Sequence, residues 1–529
     1  MISNRMNGIR RLAGAVLVLV SLAPARGARA QTIERTDTPR KGDVRVSFEP
    51  RIDTWDQLFT SNGERTLGSP FTTDSVGPAQ IPMLGRLEQD VRTASGIGNY
   101  VPTLGAGTLT VYQEKRVTPL GIEVGLSNRF SFSVNVPIVR VSTRSNIALA
   151  QGSANLGANP LATSAGSVQQ YATFFGQFNA ALTTLQNNIN AGMYGCASNP
   201  GCAANATLAQ GRAVRDALER TIYGVGAVQN PFVPLSRSPA GMAIDTSIAH
   251  LQQQLSAAYN VPGFSATLLL PDDTLAPPAA FDAFVGEVVG QNSAIFGFGY
   301  NPLGYNWHYG LGNIELEAKY RFVEGPHYAL AVAGIGRLPT ATRDTTLDFL
   351  GIPVADFEPG FEGRVLQELI VAKHLWLNLA LRGGVQLPGT ASRRVAPFDA
   401  LFVPYQATTT LNWDPGDYVG VDFAPLYRFT PHFGVGVTTA FWSRGADHYS
   451  YRTAQDSVAL AAAQGFATPA AILDAGTSQQ WVRVGFAMTY AGPVVEGGFT
   501  VEETVSGSGE VVPAAIVYRL RLRISHKLF

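Results

Sequence analysis

Two cysteines in 529 residues are too few for a disulfide-dense secreted scaffold. Both fall in one short stretch, Cys196-Ala-Ser-Asn-Pro-Gly-Cys202. In an exported chain that spacing reads as a disulfide closing an Asn-Pro-Gly turn. A two-ligand metal site is the weaker alternative, with no histidine near enough to complete it. Long apolar runs are also missing. The longest opens the chain, where Arg5, Arg10 and Arg11 precede Leu12–Leu22, shorter than a bilayer span. With Ala28-Arg29-Ala30 as a small-x-small cleavage site, residues 1–30 read as a secretory signal peptide. Setting aside its five arginines (Arg5, Arg10, Arg11, Arg26, Arg29) leaves 34 basic residues against 39 acidic ones. That leaves no basic excess to attract nucleic acid. Catalytic signatures are lacking as well. The seven histidines have no metal-ligand spacing, and there is no Gly-x-Ser-x-Gly elbow, phosphate loop or dinucleotide fingerprint. The chain reads as neither an enzyme nor a cofactor protein.

What is present is alternation. In Asn313–Phe322, Ile314, Leu316, Ala318, Tyr320 and Phe322 share one face of a strand, opposite Glu315, Glu317, Lys319 and Arg321. A period of two this strict excludes a helix. The pattern recurs over 43–55, 106–126, 129–147, 327–341, 362–373, 375–388, 417–429, 433–446, a strand around 482–490, 494–505 and 512–529, making twelve strands. Connections near 127, 325, 374, 431 and 492 are short, and those at 56–105, 148–308, 342–361, 389–416, 447–478 and 506–511, read as loops, are mostly long. Short turns on one side and long loops on the other are the layout of a transmembrane barrel. The expected fold is therefore all-β: a transmembrane antiparallel up-and-down β-barrel of about twelve strands in the bacterial outer membrane. Residues 31–42 form a short periplasmic N-terminus and 43–529 the barrel. The large, partly helical outer loop 148–308, with helix-like stretches near 166–190, 205–222, 244–258 (Asp245 as its cap) and 278–290, is either a cap packed on itself or a plug. Aromatics beside the short turns, among them Phe130, Tyr320, Phe322, Trp376, Phe429, Phe433 and Tyr490, read as an interfacial girdle.

If the apolar faces meet lipid, the charged faces line the lumen. The expected lining is Glu315, Glu317, Lys319, Arg321, Arg382, Asp422, Arg428, Arg483, Glu496, Glu502, Arg519, Arg521 and Arg523. Closure brings Arg45, Glu49 and Arg51 beside the last three, an acid–base ladder across the seam. Pro137, Pro339 and Pro388 each remove a ladder donor, which implies a kink, or a lateral gap between strands; at Pro137 the apolar positions change from Val134 and Val136 to Val139 and Val141, which reads as a bulge that flips the faces. The chain ends at Phe529. A terminal aromatic suits recognition of the last strand by the barrel-assembly machinery, although Phe529 is out of phase with Ile516–Leu528.

Three segments carry a family resemblance: G-I-E-V-G-L-S-N-R-F-S-F-S-V-N-V-P-I-V-R (121–140), G-L-G-N-I-E-L-E-A-K-Y-R-F (310–322) and G-R-L-P-T (336–340). They resemble the family named for the meta-pathway of phenol degradation, loosely grouped with FadL- and TodX-type transporters of hydrophobic compounds. The resemblance implies a porin-like channel for small, hydrophobic or aromatic molecules by passive diffusion, with outer-membrane lipid and apolar solutes as partners. Residues 31–42 are too few for the N-terminal hatch of that group. The alternative function is a structural or surface-interaction barrel with a closed lumen, whose helical outer loop binds a partner.

Overall fold

A computed structural model of the chain describes residues 34–527, apart from 226–228, 276–280, 282–283, 285–297, 302, 344, 356–358, 397–399 and 465–466. The signal peptide, the terminal Phe529 and nearly all of the helix expected at 278–290 lie outside the described residues. The strands are β1 (Asp43–Phe48, continuing as Arg51–Trp55), β2 (Ala106–Gly125), β3 (Phe130–Ala150) and β4 (Tyr305–Leu311, continuing as Ile314–Glu324). Then follow β5 (Tyr328–Leu338), β6 (Gly360–Ala372), β7 (Leu375–Gln386) and β8 (Tyr418–Arg428). The series ends with β9 (Phe433–Arg444), β10 (Gln479–Ala491), β11 (Val495–Ser508) and β12 (Ile516–Lys527). Each pairs antiparallel with the next, and β12 pairs back onto both segments of β1. The sheet is closed, with twelve strands.

The alternation sorts the side chains as expected. In β4, Tyr320 and Phe322 are exposed outside while Lys319 and Arg321 are buried inside. In β12, Leu520, Leu522 and Ile524 are exposed outside, and Arg521 and Arg523 bond Glu49 within. Of the girdle, Phe429 and Phe433 are exposed at their turn. Trp376 departs from it: it is buried on the inward face, with the Arg428 guanidinium 4.3 Å from its ring. Among the described residues no helix is long and apolar enough to cross a membrane.

The prolines do not open the wall. Pro119 of β2 stands opposite Pro137 of β3. The Pro119 carbonyl accepts from Glu49 on β1, and the Pro137 carbonyl accepts from Gly312 on β4. A residue's N–H and C=O point the same way in a strand, so both missing donors face away from the β2–β3 ladder. The breaks therefore appear in β1 at residues 49–50 and in β4 at 312–313, and the β2–β3 register runs on unshifted. At the β4 break the register against β3 slips by one residue, as in a bulge. The slip is bonded shut. Gly312 donates to Pro137 (2.8 Å), Ile314 to the Thr340 hydroxyl (2.9 Å), and that hydroxyl to the Gly312 carbonyl (3.1 Å). A Cβ on Gly312 would meet Pro137 Cγ at 2.8 Å. The three resemblance segments thus converge on one joint between β3, β4 and β5. Pro339 and Pro388 lie just beyond the ends of β5 and β7, where they terminate strands instead of kinking them.

Outside the membrane the long connections form a helical cap. It comprises α1 (Leu84–Ser95), α2 (Ser167–Asn190), α3 (Ala203–Tyr223) and α4 (Pro239–Gln253). Helix α1 belongs to 56–105, which the periodicity left as loop. Helix α4 starts at Pro239, not at Asp245: the Ser238 hydroxyl accepts from Gly241 N–H, and proline occupies the first turn. Tyr171, Phe174, Phe175 and Phe178 are buried together, with Phe178 stacked on Phe264 at 4.5 Å. The Cys196–Cys202 disulfide is formed, with Cα atoms 5.4 Å apart. The cap shares its core with Leu109, Val111, Ile147 and Leu149, the inward residues of β2 and β3 where they rise past the neighbouring strands. Loop 148–308 therefore packs on itself and on this rim. Helix α5 (Ala454–Gln464) lies in another outer loop.

Candidate functional site: the lumen and its two obstructions

Inside the barrel the expected lining is present as ion pairs. Glu49 bonds Arg521 (3.1 Å) and Arg523 (3.0 Å) across the β1–β12 seam, Glu502 reaches Arg519 (3.7 Å), and Arg382 pairs with Asp422. Arg483 donates to Thr504 and covers the Trp481 ring at 4.1 Å. Arg321 is buried and reaches Glu324 (2.8 Å). A second group joins the expected Glu315 to residues not singled out from sequence. Arg337 bridges Glu315 (2.9 Å) and Glu362 (2.6 Å), and Tyr418 bonds the same Glu362. Arg337 and Glu362 both alternate in phase with their strands: Arg337 is the one charge of β5, and Glu362 shares the inward face of β6 with Arg364 and Glu368.

Three of the expected lumen residues, Glu496, Lys319 and Arg45, are taken by a segment expected in the periplasm. Residues 34–38 run inside the barrel. Arg35 bonds Glu496 of β11 (2.6 Å), and Asp37 bonds both Arg35 (2.8 Å) and Arg45 of β1 (2.6 Å). The Thr36 N–H donates to Glu368 of β6 (2.8 Å). Glu34 bonds Arg364 of β6 (2.5 Å) and Lys319 of β4 (3.3 Å), and Lys319 also holds Glu317 (3.2 Å). Strands β6 and β11 are nearly opposite in a ring of twelve, so this strap crosses the lumen. It is anchored at the rim, where Gly42 donates to Gly125 and Lys41 N–H to the Asn128 side chain. The stretch E-R-T-D at 34–37 carries charges of both signs, which suit water as well as they suit these partners, so no local signal marked it.

Glu34 and Asp37 lie outside the spanning strands. Burial pushes both carboxyls up. Arg364 and Lys319 around Glu34, and Arg35 and Arg45 around Asp37, outweigh it and hold both well below the ordinary carboxylate range. A carboxylate depressed in the docked state favours docking above its free pKa and loses that contribution only as pH falls through the lowered value. Single-channel conductance should therefore stay flat from neutral pH to about pH 5 and rise only in stronger acid. A step between about pH 6 and 7 would contradict these contacts.

The second obstruction is the connection between β5 and β6. Its Ile352 and Val354 pack against Val139 and Val141 of β3, Trp55 of β1 and Val517 of β12, all inward-facing. Its carbonyls are held too: Leu350 accepts from the Gln113 amide (2.7 Å) and the Thr143 hydroxyl (3.3 Å), and Pro353 from Lys115 (3.0 Å). This explains Val139 and Val141. No bulge flips the phase of β3 at Pro137; the strand keeps its faces, and the lumen wall turns apolar where this loop docks. Above the loop lies a cavity of about 400 Å3, lined by Tyr300, Leu350, Pro353, Leu401 and Val403 with Asp348 and Arg394 among its polar groups. Arg394 is fixed 3.8 Å over the Tyr300 ring and donates to the carbonyls of Thr346 (2.9 Å) and Val403 (2.7 Å).

A closed sheet of twelve strands, apolar outside and charged within, defines a transmembrane β-barrel, and barrels of this kind belong to the bacterial outer membrane. No family model matches the chain, and no curated protein matches it. Among solved structures it is similar to an outer membrane channel from Pseudomonas putida F1, at 6% identity over 93% of this chain and 98% of that one, with a TM-score of 0.40. It is also similar to the TodX monoaromatic hydrocarbon channel (deltaS2 mutant), at 7% identity over 92% and 90%, TM-score 0.30. The toluene transporter TbuX of Ralstonia pickettii follows, at 8% identity over 92% and 88%, TM-score 0.27. These likenesses are loose, and the barrel stands on its own strand pairings.

Proposed function

We propose that the chain is an outer-membrane channel for small, hydrophobic or aromatic molecules, crossed by passive diffusion, with strap and loop occluding its resting lumen. The observation that carries this reading is the cavity over the β5–β6 loop. It is large enough for a small molecule, its lining mixes Tyr300, Leu350, Leu401 and Val403 with the polar Thr345, Asp348 and Arg394, and the β5–β6 loop supplies one wall. Beneath it Trp55 of β1, Val139 and Val141 of β3 and Val517 of β12 form one apolar level of the inward wall, so a solute displacing Ile352 and Val354 would meet a wall of its own polarity there. The resemblance of 121–140, 310–322 and 336–340 to the phenol-pathway family supports the same solute class. A rival reading, a structural barrel with a closed lumen whose cap binds a partner, draws on the two obstructions themselves. Uptake of an apolar aromatic fluorophore into proteoliposomes separates the two. Full-length protein should speed uptake over empty liposomes, and Val354→Asp, which sets a charge against Val139 and Val141, should speed it further. If neither protein exceeds the empty liposomes, the channel reading fails and the structural one stands.

A further inference from the structure

The outer surface of the barrel carries a basic, aromatic patch that the lumen does not use. On the outward face of β2–β4, Arg116 stands directly across from Arg140, and Arg140 from Tyr309; one step higher Ser142 faces Trp307, and above that Arg144 faces Tyr112 and Tyr305. Tyr305, Trp307 and Tyr309 are all exposed. The Arg140 guanidinium lies 5.6 Å from the Trp307 ring and 5.7 Å from the Tyr309 ring and donates to the Tyr305 hydroxyl (2.6 Å). The Arg144 guanidinium is 5.3 Å from the Tyr305 ring. Arg116 pairs with Glu114 (2.6 Å), but neither Arg140 nor Arg144 has a carboxylate partner among the described residues. The next acid at this level on that side, Glu503, stands across β12 and β1.

Depth decides what these arginines meet. Below them the same outward faces are apolar: Phe132, Val134, Val136 and Ile138 on β3, Leu120 and Ile122 on β2, Leu311 and Leu316 on β4. From Phe130 at the periplasmic turn to Arg140, about 3.3 Å per residue at a tilt of about 40° climbs roughly 25 Å, the height of the apolar band. Arg116 and Arg140 therefore sit at the outer headgroup level, and Arg144 about a dozen ångströms further along its strand. An uncompensated arginine inside the hydrocarbon would cost roughly 2–4 kcal/mol at mid-depth, whereas at headgroup depth it finds phosphate, which its planar fork binds in a bidentate way.

We propose that Arg116, Arg140 and Arg144, with Tyr305, Trp307 and Tyr309, form an external docking site for a phosphate-bearing glycolipid of the outer leaflet. The phosphates pair with the guanidinium groups, and the sugars lie against the aromatic rings. The site is independent of whether the lumen conducts. Native mass spectrometry of the full chain in detergent, titrated with bisphosphorylated lipid A, tests it. The full chain should bind bisphosphorylated lipid A at least about ten-fold more tightly than the dephosphorylated lipid or phosphatidylglycerol. Arg140→Gln with Arg144→Gln should abolish that preference with the heat-shifted gel band of the folded barrel retained. Lys373→Gln, on the opposite rim, should keep it. Equal binding of the dephosphorylated lipid or of phosphatidylglycerol would overturn the proposal, and needs no variant to fold. So would full retention of the preference by the doubly substituted chain.

Discussion

Deleting residues 34–38, with residues 1–33 and 39–529 kept, should raise single-channel conductance in planar bilayers several-fold. The strap is the only segment among the described residues that joins β1, β4, β6 and β11 across the lumen. Its removal leaves Arg45, Lys319, Arg364 and Glu496 facing a space that water can fill. Losing one partner of a buried ion pair is costly because the other charge stays desolvated, about 3–5 kcal/mol. Here the vacated volume opens to the periplasm, so the orphaned charges are rehydrated. Arg45 keeps Glu123 (3.0 Å) and Lys319 keeps Glu317 (3.2 Å). The barrel should thus assemble normally, read as an unchanged heat-shifted band. A conductance equal to that of the full chain would mean that the β5–β6 loop alone sets the resistance. That outcome would itself be checked by adding Val354→Asp to the deletion.

The second large effect concerns the wall. Leu316→Arg should block or severely impair assembly, while its neighbour Glu317→Gln should fold normally and shift only ion preference. Leu316 sits on the outward face between its register partners Val134 and Gly336, in mid-band, where an arginine costs roughly 2–4 kcal/mol. No outward acid on those partners is there to meet it. Glu317 faces inward and is held by Lys319 at 3.2 Å, and Glu34 on the same Lys319 covers the loss of its charge. The measurement is urea-dependent folding into lipid vesicles, followed by ion-selectivity recordings on the folded variant. Normal folding of the arginine variant would reverse the two faces of β4.

The barrel was legible because period-two alternation is a local property. Ile314 to Phe322 announces its two faces without any knowledge of the neighbours, and twelve such segments with alternating loop lengths leave few other folds. The seam Glu49–Arg521–Arg523 followed from closure alone. What escaped depends on contacts between distant segments. Nothing in Glu34–Asp37 distinguishes a tail in water from a strap in the lumen until Arg364, Lys319, Arg45 and Glu496 are in place around it. Val139 and Val141 were read as a change of face because an apolar lumen wall made no sense without Ile352 and Val354 against it. Pro137 pointed to an irregularity, but the slip falls in β4, where its missing donor points. Helix α1 was missed because its apolar side (Leu84, Leu87, Val91) is completed only by packing in the cap core.

The strap inside the lumen is the account's central claim, and the accessibility of a cysteine at position 36 tests it most directly. Thr36 is 1% exposed, with its N–H bonded to Glu368, and Cys196 and Cys202 are already joined. A Thr36→Cys chain, folded in vesicles and treated with a membrane-impermeant maleimide, should label orders of magnitude more slowly than the same chain unfolded in urea. Equally fast labelling in the folded state would place residues 34–38 outside the barrel and contradict the account.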